Sequence, residues 1–253
     1  MEETLRRELI RASHALHARG WVANHDGNVS ARLDGGRVLC TPTAVSKADV
    51  SPETLIVVDE QGQVVAGTRR PFSELRLHRV AYRARPDVVV VLHAHPPTAT
   101  GFAVAGVPLG PPFMAEPVVS LGEDIPLVPY GLVGDDALDS ALAAALTRAD
   151  AVLLEGHGAL TVGPAVETAL RRMELVEHLA RIALVARQLG GPRPLPASDV
   201  ERLLAQRRKA GLGPQTPPAA RAEPSFSSVN PPSSASPAEL ERMVAEALRR
   251  LGR

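Results

Sequence analysis

Three histidines and one glutamate occur in an order that could hold a metal ion. Glu74 opens a polar stretch, the pair His93 and His95 closes an apolar run, and His157 directly follows a second apolar run. Two histidines at positions i and i+2 of a strand end point to the same side, because side chains alternate along a strand. Neutral imidazole is a common ligand of Zn²⁺, and three protein ligands with an open fourth position are typical of a catalytic site. The pattern therefore predicts a catalytic metal centre.

The elements that must position these residues follow from the apolar periodicity and the turn residues. Helices are predicted at residues 3–19, 73–83, 98–104, 135–147 and 166–189, and Ser73 is expected as the N-cap or a first-turn residue of the second helix. Strands are predicted at residues 29–33, 38–41, 55–59, 63–66, 88–93, 127–129, 151–154 and 159–162.

Composition excludes several classes of protein. Lys+Arg and Asp+Glu both number 28, so no basic excess favours nucleic acid as a partner. The single cysteine, Cys40, excludes an internal disulfide and fits a reducing compartment. The charged N-terminus lacks the apolar segment of a secretory signal, and no run reaches the roughly 18 apolar residues of a membrane span. These features predict a cytoplasmic protein with no membrane partner.

The composition changes near the C-terminus. Residues 213–237 are rich in Pro, Ser and Ala, which is typical of a flexible linker. After the linker, Ser236 begins a capping box, and apolar residues recur at helical spacing as far as Leu251. We therefore predict a catalytic domain at residues 1–212, a linker at 213–237 and an amphipathic helix at 238–253.

The motifs together resemble the class II aldolase/adducin family, most closely its L-fuculose-1-phosphate aldolase branch. The matching segments lie between residues 3 and 210 and are Gly27-Asn28-Val29-Ser30, Thr41-Pro42-Thr43, Ser73-Glu74 with His78, His93-Ala94-His95 and Glu155-Gly156-His157-Gly158. The resemblance implies an α/β fold, a three-layer α/β/α arrangement with a central, mainly antiparallel β-sheet between helical layers. It also implies a four-fold homotetramer with active sites between subunits.

The resemblance also assigns roles to residues. It implies a divalent metal, usually Zn²⁺, held by His93, His95 and His157, with Glu74 as the catalytic acid/base that can occupy the fourth metal position. A divalent ion, as a Lewis acid, stabilises the negative charge that carbon–carbon cleavage leaves on the ketone-derived fragment. A carboxylate within reach moves the protons. The residues expected at the substrate phosphate are Gly27, Asn28, Thr43, Ala44 and Ser73.

The sequence departs from the family pattern near the expected phosphate. Ala44 replaces a glycine, Phe72 replaces a serine, and Asp26 stands where the family tends to have a small neutral residue. A carboxylate beside a phosphate is unfavourable unless a cation such as Lys47 or His25 offsets it.

A second departure concerns the proton donor on the aldehyde side. Where fuculose-phosphate aldolases carry a tyrosine from a neighbouring subunit, this chain has Phe113, which has no proton to give. Tyr130 is the nearest tyrosine along the chain. Specificity for L-fuculose 1-phosphate itself does not follow from the motifs.

The resemblance implies a metal-dependent aldolase that cleaves a ketose 1-phosphate, similar to L-fuculose 1-phosphate, to dihydroxyacetone phosphate and an aldehyde. A dehydratase or epimerase of a related sugar phosphate begins from the same ketone and remains an alternative. A non-catalytic, adducin-like binding module is a third interpretation, against which the retained histidines and Glu74 argue. A stoichiometric divalent ion in the protein would favour an enzyme.

The tail resembles the encapsulation peptides of enzymes housed in bacterial microcompartments. On this interpretation residues 236–253 bind microcompartment shell proteins, because so short a helix becomes ordered only against an apolar groove. A disordered tail, and a helix that packs on its own tetramer, are the alternatives.

Overall fold

Eight strands form a single sheet in the computed structural model of the chain, which describes residues 2–214. The strands are β1 (Asn28–Arg32), β2 (Val38–Cys40), β3 (Ile56–Val58), β4 (Val64–Ala66), β5 (Val90–Ala94), β6 (Leu127–Val128), β7 (Ala151–Leu154) and β8 (Gly158–Gly163). Their order across the sheet is β4-β3-β2-β1-β5-β8-β7-β6. Every neighbouring pair is antiparallel except β6 with β7, which is parallel. The prediction of a mainly antiparallel sheet is confirmed.

Helices follow or separate the strands along the described chain. They are α1 (Glu2–Ala18), α2 (Leu75–Ala84), α3 (Pro97–Val104), α4 (Ala115–Ser120), α5 (Asp136–Leu146), α6 (Val166–Gln188) and α7 (Ala197–Lys209). Within residues 2–214, no helix combines the length and apolar character that crossing a bilayer requires. Apart from its first two residues, the predicted linker 213–237 lies outside the described residues, as does the predicted helix 238–253.

Helices cover both faces of the sheet because the central strands are apolar on both sides. Leu92 of β5 packs in one core with Met173 of α6, and α1 and α3 contribute to the same core. The next side chain back along the strand, Val91, points to the opposite face and packs with Leu77 of α2 and Leu142 of α5. Full burial of one such side chain contributes about 1.5–3 kcal/mol. The predicted three-layer arrangement is therefore confirmed.

Two helices, α4 and α7, were not predicted from the sequence. Helix α4 has only six residues and contains Pro117, which weakens any helical pattern. Helix α7 buries only Val200 and Arg207, and its larger apolar residues, Val200, Leu203 and Leu204, span little more than one turn, which makes a weak helical signal. Its attachment is polar, because the buried Arg207 guanidinium donates a hydrogen bond to the Val119 carbonyl at 2.7 Å.

Helix α2 begins at Leu75, and the predicted start at Ser73 was wrong. Glu74 occupies the N-cap position, yet its side chain makes no capping hydrogen bond. The carboxylate instead accepts a hydrogen bond from the Asn28 amide and lies beside the His157 ring. Tertiary contacts of this carboxylate thus replace the local capping that sequence rules assume.

A buried charge cluster joins three elements at the end of the sheet where β5 and β7 begin. Asp150 has no exposed surface, and its two carboxylate oxygens accept from Arg85 at 2.9 Å and from Arg172 at 2.7 Å. Arg207 of α7 makes a third ion pair with the same carboxylate. Because this carboxylate is shared, its loss would remove the carboxylate that pairs with the buried Arg172 and Arg207, while Arg85 would keep its pair with Asp87.

We therefore expect Asp150→Asn to lower the free energy of unfolding by about 3–5 kcal/mol, the cost of leaving buried charges unpaired. Asp124→Asn is the matched control, because Asp124 pairs with Arg148 at the surface and such pairs contribute less than about 1 kcal/mol. Urea denaturation of both variants measures the difference. Equal stability of the two variants would show that the cluster does not hold the fold.

Candidate functional site

Strand pairing brings the three histidines to one end of the sheet. β5 lies between β1 and β8, with His93 opposite Asn28 on one side and Ala94 opposite Ala159 on the other. β8 begins directly after the turn that contains His157. The end of β5 and the start of β8 therefore carry His93 and His157 to the same edge.

The three imidazole rings converge closely enough to share one ion. One ring nitrogen from each of His93, His95 and His157 lies within 4.8 Å of the others. Nε2 of His93 and Nε2 of His95 are 3.1 Å apart. A tetrahedral Zn²⁺ with Zn–N bonds of about 2.0–2.1 Å places its ligand atoms about 3.3 Å apart, so the observed separation fits such an ion.

The tautomer of His93 is suited to a metal ligand. Its Nδ1 lies 2.9 Å from the Ala159 carbonyl oxygen, which can only accept a hydrogen bond. Nδ1 therefore carries the hydrogen and Nε2 keeps a lone pair. Burial lowers the pKa of His93 to about 3, and burial also lowers the pKa of His95, so both rings are neutral at physiological pH. This donor set fits a divalent metal.

Glu74 places a carboxylate on the same cluster. Oε1 lies 2.9 Å from His157 Nε2, and Oε2 lies 3.5 Å from His93 Nε2. The Asn28 amide donates a hydrogen bond of 2.6 Å to Oε2. Burial raises the pKa of Glu74, but the hydrogen bond from His157, the two histidines and Asn28 together hold it well below its usual range. Glu74 is therefore ionised and able to accept a proton.

Two glycines make room for the histidine cluster. A Cβ at Gly158 would lie 2.6 Å from the His95 ring and 2.7 Å from the Ala94 carbonyl oxygen. Gly27 has a φ of 69°, and a Cβ there would lie 2.4 Å from the Val22 side chain. Any larger side chain at either position would displace a residue that borders the site.

Two of the segments predicted to bind phosphate lie beside each other. The loop after β2 and the segment before α2 run side by side, joined by a bridge between Pro42 and Pro71. The Thr43 N–H also donates to the Arg70 carbonyl at 3.0 Å. Two of the predicted phosphate segments, which carry Thr43 and Ser73, are thus neighbours.

The backbone at Ala44 has a left-handed conformation, which glycine adopts more readily than alanine. Its φ of 56° lies in the left-handed region, which costs a residue with a Cβ about 1–2 kcal/mol. The loop therefore has strained backbone at a position where glycine would be unstrained.

Asp26 and Lys47 lie at the site, and the sequence alone did not reveal their contacts. Asp26 Oδ2 is 3.7 Å from His95 Nδ1. The Lys47 side chain is only 1% exposed, and its ammonium donates to the carbonyls of His25 at 3.2 Å and Val45 at 3.0 Å. Burial lowers the pKa of Lys47 to about 8, against the opposing charges of Asp26 and Glu74. No sequence signal links Asp26 to a histidine so distant along the chain.

His78, which belongs to the same sequence motif as Glu74, lies outside the histidine cluster. Its Nδ1 is 2.7 Å from the Ser30 hydroxyl, and that hydroxyl is 2.7 Å from the Tyr82 hydroxyl. The Phe72 ring packs edge-on against His78, with centroids 5.0 Å apart. Phe72, which replaces the family's serine, is therefore a buried packing residue beside the site.

The two candidates for the aldehyde side lie in different surroundings. Phe113 is half-buried against the core on the α1, α3 and α6 face. The Tyr130 N–H donates to the Glu155 carboxylate at 3.0 Å, which attaches Tyr130 to the turn that carries His157. The Tyr130 side chain is 66% exposed. Of the two candidates, Tyr130 is therefore the one that a hydrogen bond joins to the turn carrying His157.

The family model for the Class II Aldolase and Adducin N-terminal domain matches residues 7–184. The matched region contains all three histidines, Glu74 and the three predicted phosphate segments.

Individual relatives cover most of the chain. A 5-methylthioribulose-1-phosphate/5-deoxyribulose-1-phosphate aldolase from Rhodospirillum rubrum is 33% identical over 213 residues, which are 84% of this chain and 95% of the relative. A 3-oxo-tetronate 4-phosphate decarboxylase from Escherichia coli K12 is 30% identical, covering 77% of this chain and 91% of the relative. A solved L-fuculose 1-phosphate aldolase structure is 28% identical, with a TM-score of 0.74 over 81% of this chain and 96% of the other.

The left-handed backbone at Ala44 yields a prediction about stability. We expect Ala44→Gly to leave the free energy of unfolding unchanged or to raise it by up to about 1 kcal/mol, because relief of the strain offsets the extra freedom of glycine in the unfolded chain. Ala48→Gly, in the same loop and without a positive φ, should instead lose about 0.4–1 kcal/mol. Urea denaturation compares the two. A larger loss at position 44 than at position 48 would contradict the assigned conformation.

Proposed function

The chain belongs to the class II aldolase and adducin family and is a lyase, and on this premise we propose that it cleaves a ketose 1-phosphate to dihydroxyacetone phosphate and an aldehyde. The observation that carries the proposal is the convergence of three imidazoles and one ionised carboxylate at the end of β5. A non-catalytic module would have no need of this set, because three converging imidazoles and an ionised carboxylate, most of them partly exposed, have no structural role in such a module.

His93, His95 and His157 hold a divalent ion in this proposal, and class II aldolases depend on such ions. Zn²⁺ fits the donor set, and when bound it would supply Lewis-acid stabilisation of the negative charge on the ketone-derived oxygen. The neutral Nε2 of His93, fixed by the Ala159 carbonyl, is ready to bind without losing a proton.

Glu74 moves the protons. Breaking the bond between C3 and C4 of a ketose 1-phosphate requires that the C4 hydroxyl loses its proton as the aldehyde forms. The remaining enediolate then takes a proton at C3 and becomes dihydroxyacetone phosphate. An ionised carboxylate, oriented by the Asn28 amide at 2.6 Å, is suited to accept the first proton and return the second.

The substrate phosphate is proposed to lie at the turns around the cluster. The residues proposed to bind it are Gly27, Asn28, Thr43, Ala44 and Ser73. The nearness of the loop after β2 to the segment before α2 supports this proposal, because neighbouring turn N–H groups and hydroxyls suit a phosphate dianion.

One of the relatives favours a pentulose 1-phosphate over the longer hexulose phosphate L-fuculose 1-phosphate. The Rhodospirillum rubrum relative is an aldolase for 5-methylthioribulose-1-phosphate and 5-deoxyribulose-1-phosphate. We propose that this chain takes a 5-substituted or 5-deoxy pentulose 1-phosphate of the same class. Phe113, where fuculose-phosphate aldolases carry a tyrosine, agrees with an aldehyde side that makes fewer hydrogen bonds.

Decarboxylation is the second candidate, because a relative is a 3-oxo-tetronate 4-phosphate decarboxylase. Loss of CO₂ from that β-keto acid leaves the same enediolate of dihydroxyacetone phosphate, so the same cluster would stabilise it. The two reactions differ in the leaving group. Release of CO₂ does not require a base to remove a hydroxyl proton, whereas release of an aldehyde does.

A substrate panel tests the proposed reaction. The metal-loaded protein is incubated with 5-deoxyribulose 1-phosphate, 5-methylthioribulose 1-phosphate, L-fuculose 1-phosphate and 3-oxo-tetronate 4-phosphate, and dihydroxyacetone phosphate, aldehyde and CO₂ are measured. We expect dihydroxyacetone phosphate with an equimolar aldehyde, fastest from the first two compounds. Equimolar CO₂ from the fourth alone would favour the decarboxylase, and loss of water or epimerisation without cleavage would overturn both proposals.

The metal ligands yield the next prediction. His157→Ala should lose tightly bound Zn²⁺ and activity, because the two remaining histidines would rarely hold Zn²⁺ tightly. The variant should keep its fold. His178→Ala, an exposed histidine of α6, should keep both. Metal content after dialysis and circular dichroism measure the outcome. Normal metal content in His157→Ala would remove this residue from the ligand set.

Glu74→Gln tests the proton transfer separately from the metal. We expect it to retain Zn²⁺ yet to lower kcat by about 100-fold or more, the usual scale of acid–base catalysis. Glu167→Gln is the control, because Glu167 is an exposed residue paired with Arg171. An unchanged kcat for Glu74→Gln would mean that another group moves the proton.

We propose that the protein is a homotetramer whose residues 236–253 bind microcompartment shell proteins. The support is the sequence of the tail, a Pro/Ser-rich stretch followed by an apolar stripe at helical spacing. Deleting residues 214–253 should leave assembly and activity intact and abolish co-localisation with shells in cells. Light scattering that shows dissociation of the deletion variant would instead make the tail a structural element.

A further inference from the structure

His95 has a second ring nitrogen whose surroundings differ from those of His93. Nε2 of His95 faces Nε2 of His93 at 3.1 Å, so Nδ1 is at the opposite edge of the ring. The group facing Nδ1 is the Asp26 carboxylate, with Oδ2 at 3.7 Å. This distance is too long for a hydrogen bond but within the range of an ion pair.

The loop that carries Asp26 is fixed to the site from two directions. The Trp21 carbonyl accepts a hydrogen bond of 2.8 Å from the His95 N–H, so the loop and His95 share a backbone contact. The Lys47 ammonium, almost wholly buried, donates to the His25 carbonyl at 3.2 Å. The Asp26 charge also raises the pKa of Lys47, against the effect of burial, and does so more than the charge of Glu74. A buried cation thus favours a carboxylate at this position.

Ring orientation at a metal site is commonly set by the second nitrogen. A metal-binding histidine usually donates its other N–H to a carboxylate or a backbone carbonyl, which fixes the tautomer and the direction of the lone pair. The Ala159 carbonyl fills this role for His93. The half-exposed Asp26 carboxylate is the group that faces the corresponding position of His95.

We propose that Asp26 is a positioning residue whose carboxylate faces the Nδ1 edge of His95, favours the tautomer with the hydrogen on Nδ1 and so orients Nε2 toward the metal. The inference rests on the proposed metal site. The negative charge of Asp26 is unfavourable beside a phosphate. Beside the outer edge of the His95 ring, the same charge can orient a metal ligand. Asp26 does not touch the substrate in this proposal and acts only through His95.

Binding of Co²⁺ and Zn²⁺ to the full-length protein tests the role. Asp26→Asn keeps the size of the side chain and removes its charge, and Asp26→Ala removes both. Each should raise the Kd for Zn²⁺ about 10- to 100-fold, as measured by chelator competition, because loss of a group that orients a ligand typically has that effect. Each should also change the visible absorption of the Co²⁺-loaded protein, because the ligand geometry changes. Asp34→Asn changes an exposed aspartate that forms no ion pair within residues 2–214, and it should change neither quantity.

The possible results separate this inference from the proposal on which it depends. Wild-type affinity and spectrum in both Asp26 variants would overturn the positioning role. A raised Kd with an unchanged Co²⁺ spectrum would also overturn it, because Asp26 would then act through charge alone. Failure of the wild-type protein to bind Co²⁺ or Zn²⁺ would overturn the proposed metal site itself.

Discussion

The antiparallel pairing of β5 with β1 and β8 is the constraint on which the site depends. Asn28 is held opposite His93 across one pair, and Ala159 opposite Ala94 across the other. A shift of one residue in either register would turn the His93 ring to the other face of the sheet and remove the Ala159 carbonyl that fixes its tautomer. The sheet therefore determines both the position of the histidines and the direction of a ligand lone pair.

The two ends of the central strands carry polar clusters of different character. Where β5 begins, Asp150 is fully buried and pairs with three arginines, so its negative charge is compensated. One of these arginines, Arg207, attaches α7 to the start of β7. Where β5 ends, Glu74 and the histidines lie together with partial exposure and with ligand nitrogens that face one another. A closed, compensated cluster stabilises a fold, whereas an open cluster of neutral donors and one ionised carboxylate is suited to bind and transform a ligand.

Local signals in the sequence were sufficient for part of this account. An apolar run followed by His93 and His95 predicts a strand end with two aligned imidazoles, and the structure has that arrangement. The three-layer fold and the role of Glu74 came from the resemblance to a family, since periodicity alone does not give strand order. The contact of Asp26 with His95 and the burial of Lys47 depend on loop packing between distant segments. Helix α7 was not predicted because its larger apolar residues are confined to about one turn, and a buried ion pair between Arg207 and Asp150 attaches it to the core.

X-ray absorption spectroscopy of the Zn²⁺-loaded protein tests the central claim most directly. The account predicts one ion per chain with three imidazole nitrogens at about 2.0–2.1 Å and the remaining ligand an oxygen. Multiple scattering from the imidazole rings would identify the histidines as a class. A shell of oxygen atoms alone, or one that contains the sulfur of Cys40, would contradict the site at the end of β5.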